Sequence, residues 1–334
     1  MAKILLTGGA GYIGSHTYLA LVAAGFEVVI FDNFSNAKPD VPNRLQDIAG
    51  KTVDVFEGDV LDRAALDAVF GTHKIDGVVH FAARKAVGES VQDPLGYMQT
   101  NVGGLLNLLA AMDAAKVRNI VFSSSATVYG DTDIQPIPEK HARTHTSPYA
   151  FTKITGEQIL EQLPDDWTVG ILRYFNPVGA HKSAMIGEDP EDTPNNLMPY
   201  IAKVATGELP EISVFGDDYD TPDGTGVRDY IHVDDLADGH VLSLKSLLET
   251  KESHTLNLGT GKGSSVLDVV KAYSKACGQT LPYKIAPRRE GDVAVLTARP
   301  EQAKDQLGFE AKRSLADMCT SSWAWVSGQR RNSH

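Results

Sequence analysis

Short apolar runs alternating with longer amphipathic stretches make up the first half of the chain. Lys3–Thr7, Glu27–Phe31, Thr52–Glu57, Gly77–Ala82, Asn119–Ser123 and Thr168–Tyr174 are mostly apolar throughout rather than alternating. That pattern predicts strands covered on both faces. Between them, Ile13–Ala24 (closed by Gly25), Leu61–Phe70, Leu95–Ala115 and Pro148–Gln162 carry apolar positions at helical spacing. Strand and helix in repeated alternation predict an α/β fold with a doubly wound parallel sheet of the Rossmann type. Beyond Tyr174, Pro, Gly and Asp gather in 186–194 and 216–226 and the elements shorten. The expected division is therefore a first domain over 1–175 and a smaller α/β substrate-binding region over 176–334, with some segments of the second returning to the first. No internal repeat or low-complexity linker is visible.

Composition narrows the function. Apolar residues make up 42% and charged residues 22% of 334 residues, as in an ordinary globular protein. With 31 basic against 43 acidic side chains the net charge is −12. Nucleic acid and anionic membrane surfaces are poor partners for such a field, so an anionic substrate has to be held by a few local arginines. Cys277 and Cys319 are expected as free thiols of a reducing compartment. Met1-Ala-Lys runs directly into Ile4-Leu5-Leu6, which glycines cut short, and no apolar run reaches membrane-spanning length. A cytoplasmic location is the expectation.

Thr7-Gly-Gly-Ala-Gly-Tyr-Ile-Gly14 places Gly8, Gly11 and Gly14 between an apolar strand and an amphipathic helix. A dinucleotide site needs glycines there for a tight turn, for close approach of backbone to a diphosphate, and for close helix packing. Asp32 ends the second predicted strand, where an acidic side chain meets adenosine ribose hydroxyls. Its charge would repel a ribose phosphate, which favours NAD over NADP. Asp59, ending Glu57-Gly-Asp59, is a candidate for the adenine amine.

Ser147-Pro-Tyr-Ala-Phe-Thr-Lys153 sets Tyr149 and Lys153 at i and i+4, on one helix face. An ammonium near a phenol favours the phenolate, so Lys153 is expected to lower the pKa of Tyr149 and let it act as a base. The serine-rich strand end Phe122-Ser-Ser-Ser-Ala-Thr-Val-Tyr-Gly130 can present a hydroxyl to the same substrate oxygen.

On these motifs the chain resembles the extended short-chain dehydrogenase/reductase family, at its sugar-nucleotide epimerase branch. Four further stretches carry the likeness: His80-Phe-Ala-Ala-Arg-Lys-Ala-Val-Gly-Glu-Ser90, Leu172-Arg-Tyr-Phe-Asn-Pro-Val-Gly-Ala180, Gly224-Thr-Gly-Val-Arg-Asp-Tyr-Ile-His232 and Pro287-Arg-Arg-Glu-Gly-Asp292. The resemblance implies tightly bound NAD and reversible inversion at C4 of a UDP-hexose, between UDP-galactose and UDP-glucose, through a transient 4-keto sugar. It implies a place in galactose metabolism and sugar-nucleotide supply. By the same likeness Tyr149 is the catalytic base, Lys153 holds the nicotinamide ribose, and Ser125 bonds the sugar 4-oxygen. Ser125 is chosen over its neighbours by its register with Val128-Tyr129-Gly130. Cofactor contacts are implied for Gly8, Gly11, Tyr12, Ile13 and Gly14, for Asp32, Asn33, Asp59 and Val60, and for Phe81, Ala82, Lys85, Thr100 and Phe175. The UDP-sugar side is implied for Asn176, Asn196, Leu197, Phe215, Arg228, Arg289 and Asp292. Two guanidinium groups also suit a diphosphate held by an acidic protein.

Rival readings lack their residues. A sugar-nucleotide dehydratase needs an acid–base carboxylate pair after the catalytic Ser/Thr, where this chain has Ala126 and Thr127. A non-catalytic NAD sensor of this fold would lose the tyrosine or the lysine, and both are present. Gly259-Thr-Gly-Lys-Gly-Ser264 is not a P-loop, since Leu256 stands at the first glycine position; it predicts a turn before a helix at Val266–Ala276. The ten histidines form no metal-binding spacing. By resemblance Leu296 abuts the sugar 2-substituent, where an aromatic side chain restricts the pocket and a small one admits N-acetyl groups. Leucine is intermediate, so some UDP-N-acetylhexosamine turnover is expected. The resemblance also implies a homodimer through the helices around 95–115 and 148–162. The stretch between Tyr129 and Tyr149 is about one residue shorter than the resemblance leads one to expect.

Overall fold

The computed structural model describes residues 1–190, 194, 196–289 and 292–331. Its strands are β1 (Lys3–Thr7), β2 (Glu27–Asp32), β3 (Asp54–Glu57), β4 (Gly77–His80), β5 (Asn119–Ser125), β6 (Thr168–Tyr174), β7 (Asn176–Val178), β8 (Ile212–Phe215), β9 (Val227–Arg228), β10 (Tyr230–His232), β11 (His254–Leu258), β12 (Ser264–Ser265), β13 (Tyr283–Ala286) and β14 (Val295–Leu296). Seven form one sheet in the order β11-β6-β5-β4-β1-β2-β3, every pair parallel. The order turns back between β1 and β4. In doubly wound sheets that reversal opens a crevice at the carboxyl ends of the strands.

The alternation within β1 shows why the sheet needs two covers. Ile4 and Leu6 face one side with Val28, Ile30, Tyr18 and Leu21, while Leu5 faces the other with Val29, Val78, Leu105 and Leu108. These side chains are buried, each worth about 1.5–3 kcal/mol against exposure. Helices Tyr12–Ala23 and Val233–Thr250 cover the first face; Arg63–Thr72 and Gly104–Ala114 cover the second.

The helix expected over Leu95–Ala115 runs from Pro94 to Ala114, but its turn at Met98–Gly103 is widened to π-helical hydrogen bonding. Such a turn re-aims side chains and is frequent at functional sites. Here it carries Thr100 and the buried Asn101. Gly104 follows because a Cβ there would stand 2.6 Å from Cγ2 of Val60.

Helix Leu197–Ala205, helix Val266–Cys277 and helix Leu315–Arg331 pack with β8 and β10 around Met198, Ile201, Val214, Tyr230, Val269, Tyr273, Met318 and Cys319. Both cysteines are free thiols. Helix Val233–Thr250 covers the main sheet and β11 is its edge strand, despite their late place in the chain. Among the described residues, no helix is long and apolar enough to cross a membrane.

Candidate functional site

The glycine turn joins β1 to helix Tyr12–Ala23. Gly8 has φ +68°, and a Cβ on it would lie 2.7 Å from the backbone N of Ala82. A Cβ on Gly14 would lie 2.3 Å from the Gly8 carbonyl oxygen, so the helix sits directly on the turn. Gly11 differs: its Cβ would meet only that same oxygen, at 3.3 Å. No side chain caps this helix and no acidic residue occupies its first turn. Its free amides and positive end therefore suit a diphosphate approaching over Gly11.

Asp32, at the end of β2, is buried beside the turn. Its oxygens accept from Ala10 N and Phe34 N, each at 2.9 Å, and burial raises its pKa against those hydrogen bonds. Asn33 Nδ2 donates to Asp59 at 2.8 Å, and Asp59 also accepts from Leu61 N. The Val60 side chain is buried against Gly104 and Ile13 packs into the core. Phe81 and Ala82 continue β4 along the turn, with Phe81 N donating to Thr7 O at 2.9 Å.

Two further contacts, Tyr12 with Gly179 and Lys85 with Glu188, bind the two halves of the chain around this crevice. Tyr12 Oη donates to Gly179 O at 2.7 Å. The exposed Lys85 ammonium lies 6.0 Å from the centre of the Tyr12 ring and 3.5 Å from Glu188. Glu188 also accepts from Asn196 Nδ2 at 3.2 Å, so it links a residue expected on the cofactor side to one expected on the substrate side. The acidic run containing Glu188 reads from sequence as a solvated loop, and nothing in its composition marks this link. Of that run, Glu191 and Asp192 lie outside the described residues.

Ser125 ends β5, and Tyr149 and Lys153 lie on the helix Pro148–Leu160, whose N-cap Ser147 accepts from Ala150 N. The Ser125 hydroxyl lies beside the Tyr149 phenol and favours its ionised form, while Ser125 Oγ accepts from Thr127 N at 3.2 Å. The Lys153 ammonium donates to Ser123 O at 2.7 Å and stands 5.9 Å from the centre of the Tyr149 ring. Lowering of Tyr149 by the lysine is not found here. Burial pushes the phenol up to about 12 and the neighbouring Ser125 hydroxyl only pulls against it, while burial brings Lys153 down to about 8. Desolvation outweighs a neighbouring charge whose own hydrogen bond goes to the strand. Ala126 is buried, and Thr127 Oγ1 donates to Ser125 Oγ at 3.0 Å, so neither supplies an acid.

Phe175 packs with Ala126, Val128 and Ile154, and Leu296 rests on this cluster beside the Ser125 turn. Asn176 pairs with Tyr230 across β7 and β10, and its N–H donates to Asp229 O. Next to Asp229, Arg228 pairs with Leu296 across β9 and β14 and holds Asp292 at 3.2 Å and Val293 O at 2.8 Å. Arg289 lays its guanidinium over Phe215, 3.9 Å from the ring centre, and accepts at its carbonyl from Asp292 N. Leu197 opens the neighbouring helix and packs on its core. Tertiary structure thus brings 176, 228, 289, 292 and 296 together from three separate segments. The amides at 260 and 261 donate to Asp229, which confirms a capped turn and no phosphate loop. Asn101 escaped the sequence reading; buried in the π turn, it bonds both N and O of Arg84 and Thr152.

A glycine turn at the reversal of a parallel sheet, with a Tyr/Lys/Ser group at the next strand end, defines a Rossmann-type dinucleotide enzyme of the short-chain dehydrogenase kind. The chain belongs to the NAD dependent epimerase/dehydratase family, whose model matches residues 4–259. Within it, the chain is 53% identical over 327 residues to UDP-glucose 4-epimerase of Bacillus subtilis, covering 97% of this chain and 96% of that one. The structure of UDP-glucose-4-epimerase from Stenotrophomonas maltophila, with bound NAD and formylated UDP-arabinopyranose, superposes with TM-score 0.98 at 49% identity, covering 99% of this chain and all of that one. That of the Bifidobacterium longum enzyme with NAD+ and UDP gives 0.93 at 48%, covering 98% and 99%. This chain is an NAD-dependent enzyme.

Proposed function

We propose that the chain interconverts UDP-galactose and UDP-glucose by inversion at C4 through a transient 4-keto-hexose, with NAD kept bound throughout. Its setting would be galactose metabolism and sugar-nucleotide supply, in the cytoplasm. The observation that carries this reading is the meeting of Tyr149 and Lys153 with Ser125 and Ser123 at the end of β5, beside the glycine turn and without an acid pair at 126 and 127. Tyr149 takes the proton of the 4-hydroxyl, Ser125 aligns that oxygen, and Lys153 supplies positive charge from the Ser123 side. Bound NAD supplies the two-electron acceptor for C4 and a cationic ring that favours the phenolate. The turn residues 8–14, Asp32, Asn33, Asp59 and Val60, and Phe81, Ala82, Lys85, Thr100 and Phe175 suit the cofactor. Asn176, Asn196, Leu197, Phe215, Arg228, Arg289, Asp292 and Leu296 suit the UDP-sugar. Residues 1–175 hold the cofactor and 176–334 the sugar nucleotide in this scheme, with helix Val233–Thr250 and β11 returned to the sheet. The test is purification without added cofactor, mass analysis of released nucleotide, and assay with UDP-galactose. Absence of NAD and of UDP-glucose product would overturn the reading.

Leu296 sets a specificity prediction. Wild type should turn over UDP-N-acetylgalactosamine measurably. Leu296→Tyr should cut kcat/KM for the acetylated sugar at least about tenfold while leaving UDP-galactose within about threefold, the scale of steric discrimination in such pockets. Equal values for both proteins with the acetylated sugar would count against it.

A homodimer through the helices near 95–115 and 148–162 is supported by apolar side chains left in solvent there. Leu95 is 80% exposed, Leu106 49% and Phe151 40%. Leu106→Glu combined with Phe151→Glu should give a folded monomer by light scattering; an unchanged dimer mass would exclude this face.

A further inference from the structure

Three successive residues of β5 meet three residues of the helix Pro148–Leu160 that are spaced by four. Ser125 lies beside Tyr149, Ser123 O accepts from Lys153, and Ser124 Oγ donates to Glu157. Residues 149, 153 and 157 lie on one stripe of the helix. Two of the three belong to the proposed chemistry, and the third is a fully buried carboxylate that the reaction does not use. Glu157 accepts from Arg173 of β6 at 2.9 Å (Nε) and 2.6 Å (Nη2), and from Arg143 Nη1 at 3.0 Å. Arg143 then grips Glu161 with both terminal nitrogens, which ties the 130–147 loop to the same helix. Arg173 also reaches Tyr129 Oη and Glu139 O, so the clamp extends behind the turn that follows Ser125.

We propose that Glu157 is a positioning residue for the proton chemistry: it holds the helix of Tyr149 and Lys153 in register with the Ser125 strand end through Ser124 and Arg173, and its carboxylate, one helical turn beyond Lys153 and not in direct ion-pair contact with it, favours the charged lysine. The inference rests on the reading of Tyr149, Lys153 and Ser125 given above. A buried ion pair commonly adds little net stability over apolar packing, so its location asks for another reason. A misplacement of about 1 Å at such a helix can cost about a hundredfold in rate. Burial works against the ammonium of Lys153 and Glu157 works for it. The other groups facing this region are His80 of β4, held neutral by burial, Tyr174 of β6 bonded to Ser123, Tyr97 against the Tyr149 ring, and Arg173 beyond Glu157. Among these and the groups on its own helix, Glu157 is the one that favours the charged lysine.

The test compares wild type, Glu157→Gln and Glu157→Asp. Lysine isotope-labelled at Cε reports the ionisation of Lys153 by NMR, assigned with Lys153→Met as the blank. The pH dependence of kcat on UDP-galactose is measured alongside. Glu157→Gln should lower the Lys153 midpoint by about one pH unit. The levelling of kcat on raising pH should begin correspondingly earlier, and kcat should fall about 10- to 100-fold with KM within about twofold. Glu157→Asp should recover the midpoint more fully than the rate. An unmoved midpoint, or kcat within twofold of wild type, would overturn the proposal. If Glu157→Gln does not fold, Ser124→Ala decides: it keeps the ion pair and should lower kcat about tenfold, and an unchanged kcat defeats the positioning role. A wild type whose Lys153 responds to Glu157 but which leaves UDP-galactose untouched would refute the proposed reaction while sparing the Lys153–Glu157 coupling.

Discussion

Tyr149→Phe should lower kcat for UDP-galactose about a thousandfold and leave the NAD content of the purified protein unchanged. The ring is half-buried and T-stacked on Tyr97 at 6.5 Å, so phenylalanine fills the same space and only the hydroxyl is lost. Loss of a positioned general base costs about a hundredfold to ten-thousandfold. Because the phenol on its own sits near 12, it is protonated at neutral pH. Wild-type kcat should therefore rise with pH while Lys153 stays charged, and level off above the lysine's value near 8, where each gain in phenolate is matched by a loss of charged lysine. Tyr149→Phe should lose the rising limb. Near-normal turnover by this variant would remove Tyr149 from the role of base.

Gly14→Ala should destabilise the fold by about 3 kcal/mol in denaturant titration, since a methyl group 2.3 Å from the Gly8 carbonyl forces helix and turn apart. NAD should be absent from the purified variant. Gly11→Ala is the informative contrast. Its methyl meets protein only at 3.3 Å and its backbone is already extended, so stability should change by no more than about 1 kcal/mol. NAD retention should nevertheless fall at least about tenfold, because the same methyl stands where the diphosphate approaches. If Gly11→Ala kept its cofactor in full, the diphosphate would have to lie elsewhere.

Much of the fold was readable because local patterning and tertiary demand agreed. β1 and β6 begin and end at the residues that the apolar runs predict, since fully covered strands leave no polar interruptions. Helix Val266–Cys277 was legible from the glycine-rich turn before it, and the structure adds a capping box made by Ser265 and Asp268. Helix Val41–Ala49, by contrast, carries Pro42 and Asn43 in its first turn and only Leu45 fully buried, so its apolar signal is thin. The π turn at Met98–Gly103 has no sequence signature at all, because the hydrogen-bond shift depends on what Asn101 meets across the fold.

The candidate site divides in the same way. The glycines, Asp32, Tyr149 and Lys153 were visible because each depends on near neighbours: a turn beside its own strand, or two side chains one helical turn apart. The ionisation of that pair was not. A two-residue argument predicts a lowered tyrosine, whereas burial by the surrounding sheet raises it and lowers the lysine. Glu157 likewise reads as one more helix-favouring acid until Arg173, Ser124 and Arg143 close around it from three other segments.

By itself, then, the sequence determined the parallel sheet, the dinucleotide turn at Gly8–Gly14 and the pairing of Tyr149 with Lys153, because short-range sterics and periodicity specify them. Only the tertiary structure decided how far each group is desolvated, which carboxylate stands behind Lys153, and how Arg228, Asp292 and Leu296 meet. Those properties arise from contacts between residues scores of positions apart, and desolvation belongs to the whole surrounding packing rather than to any one segment.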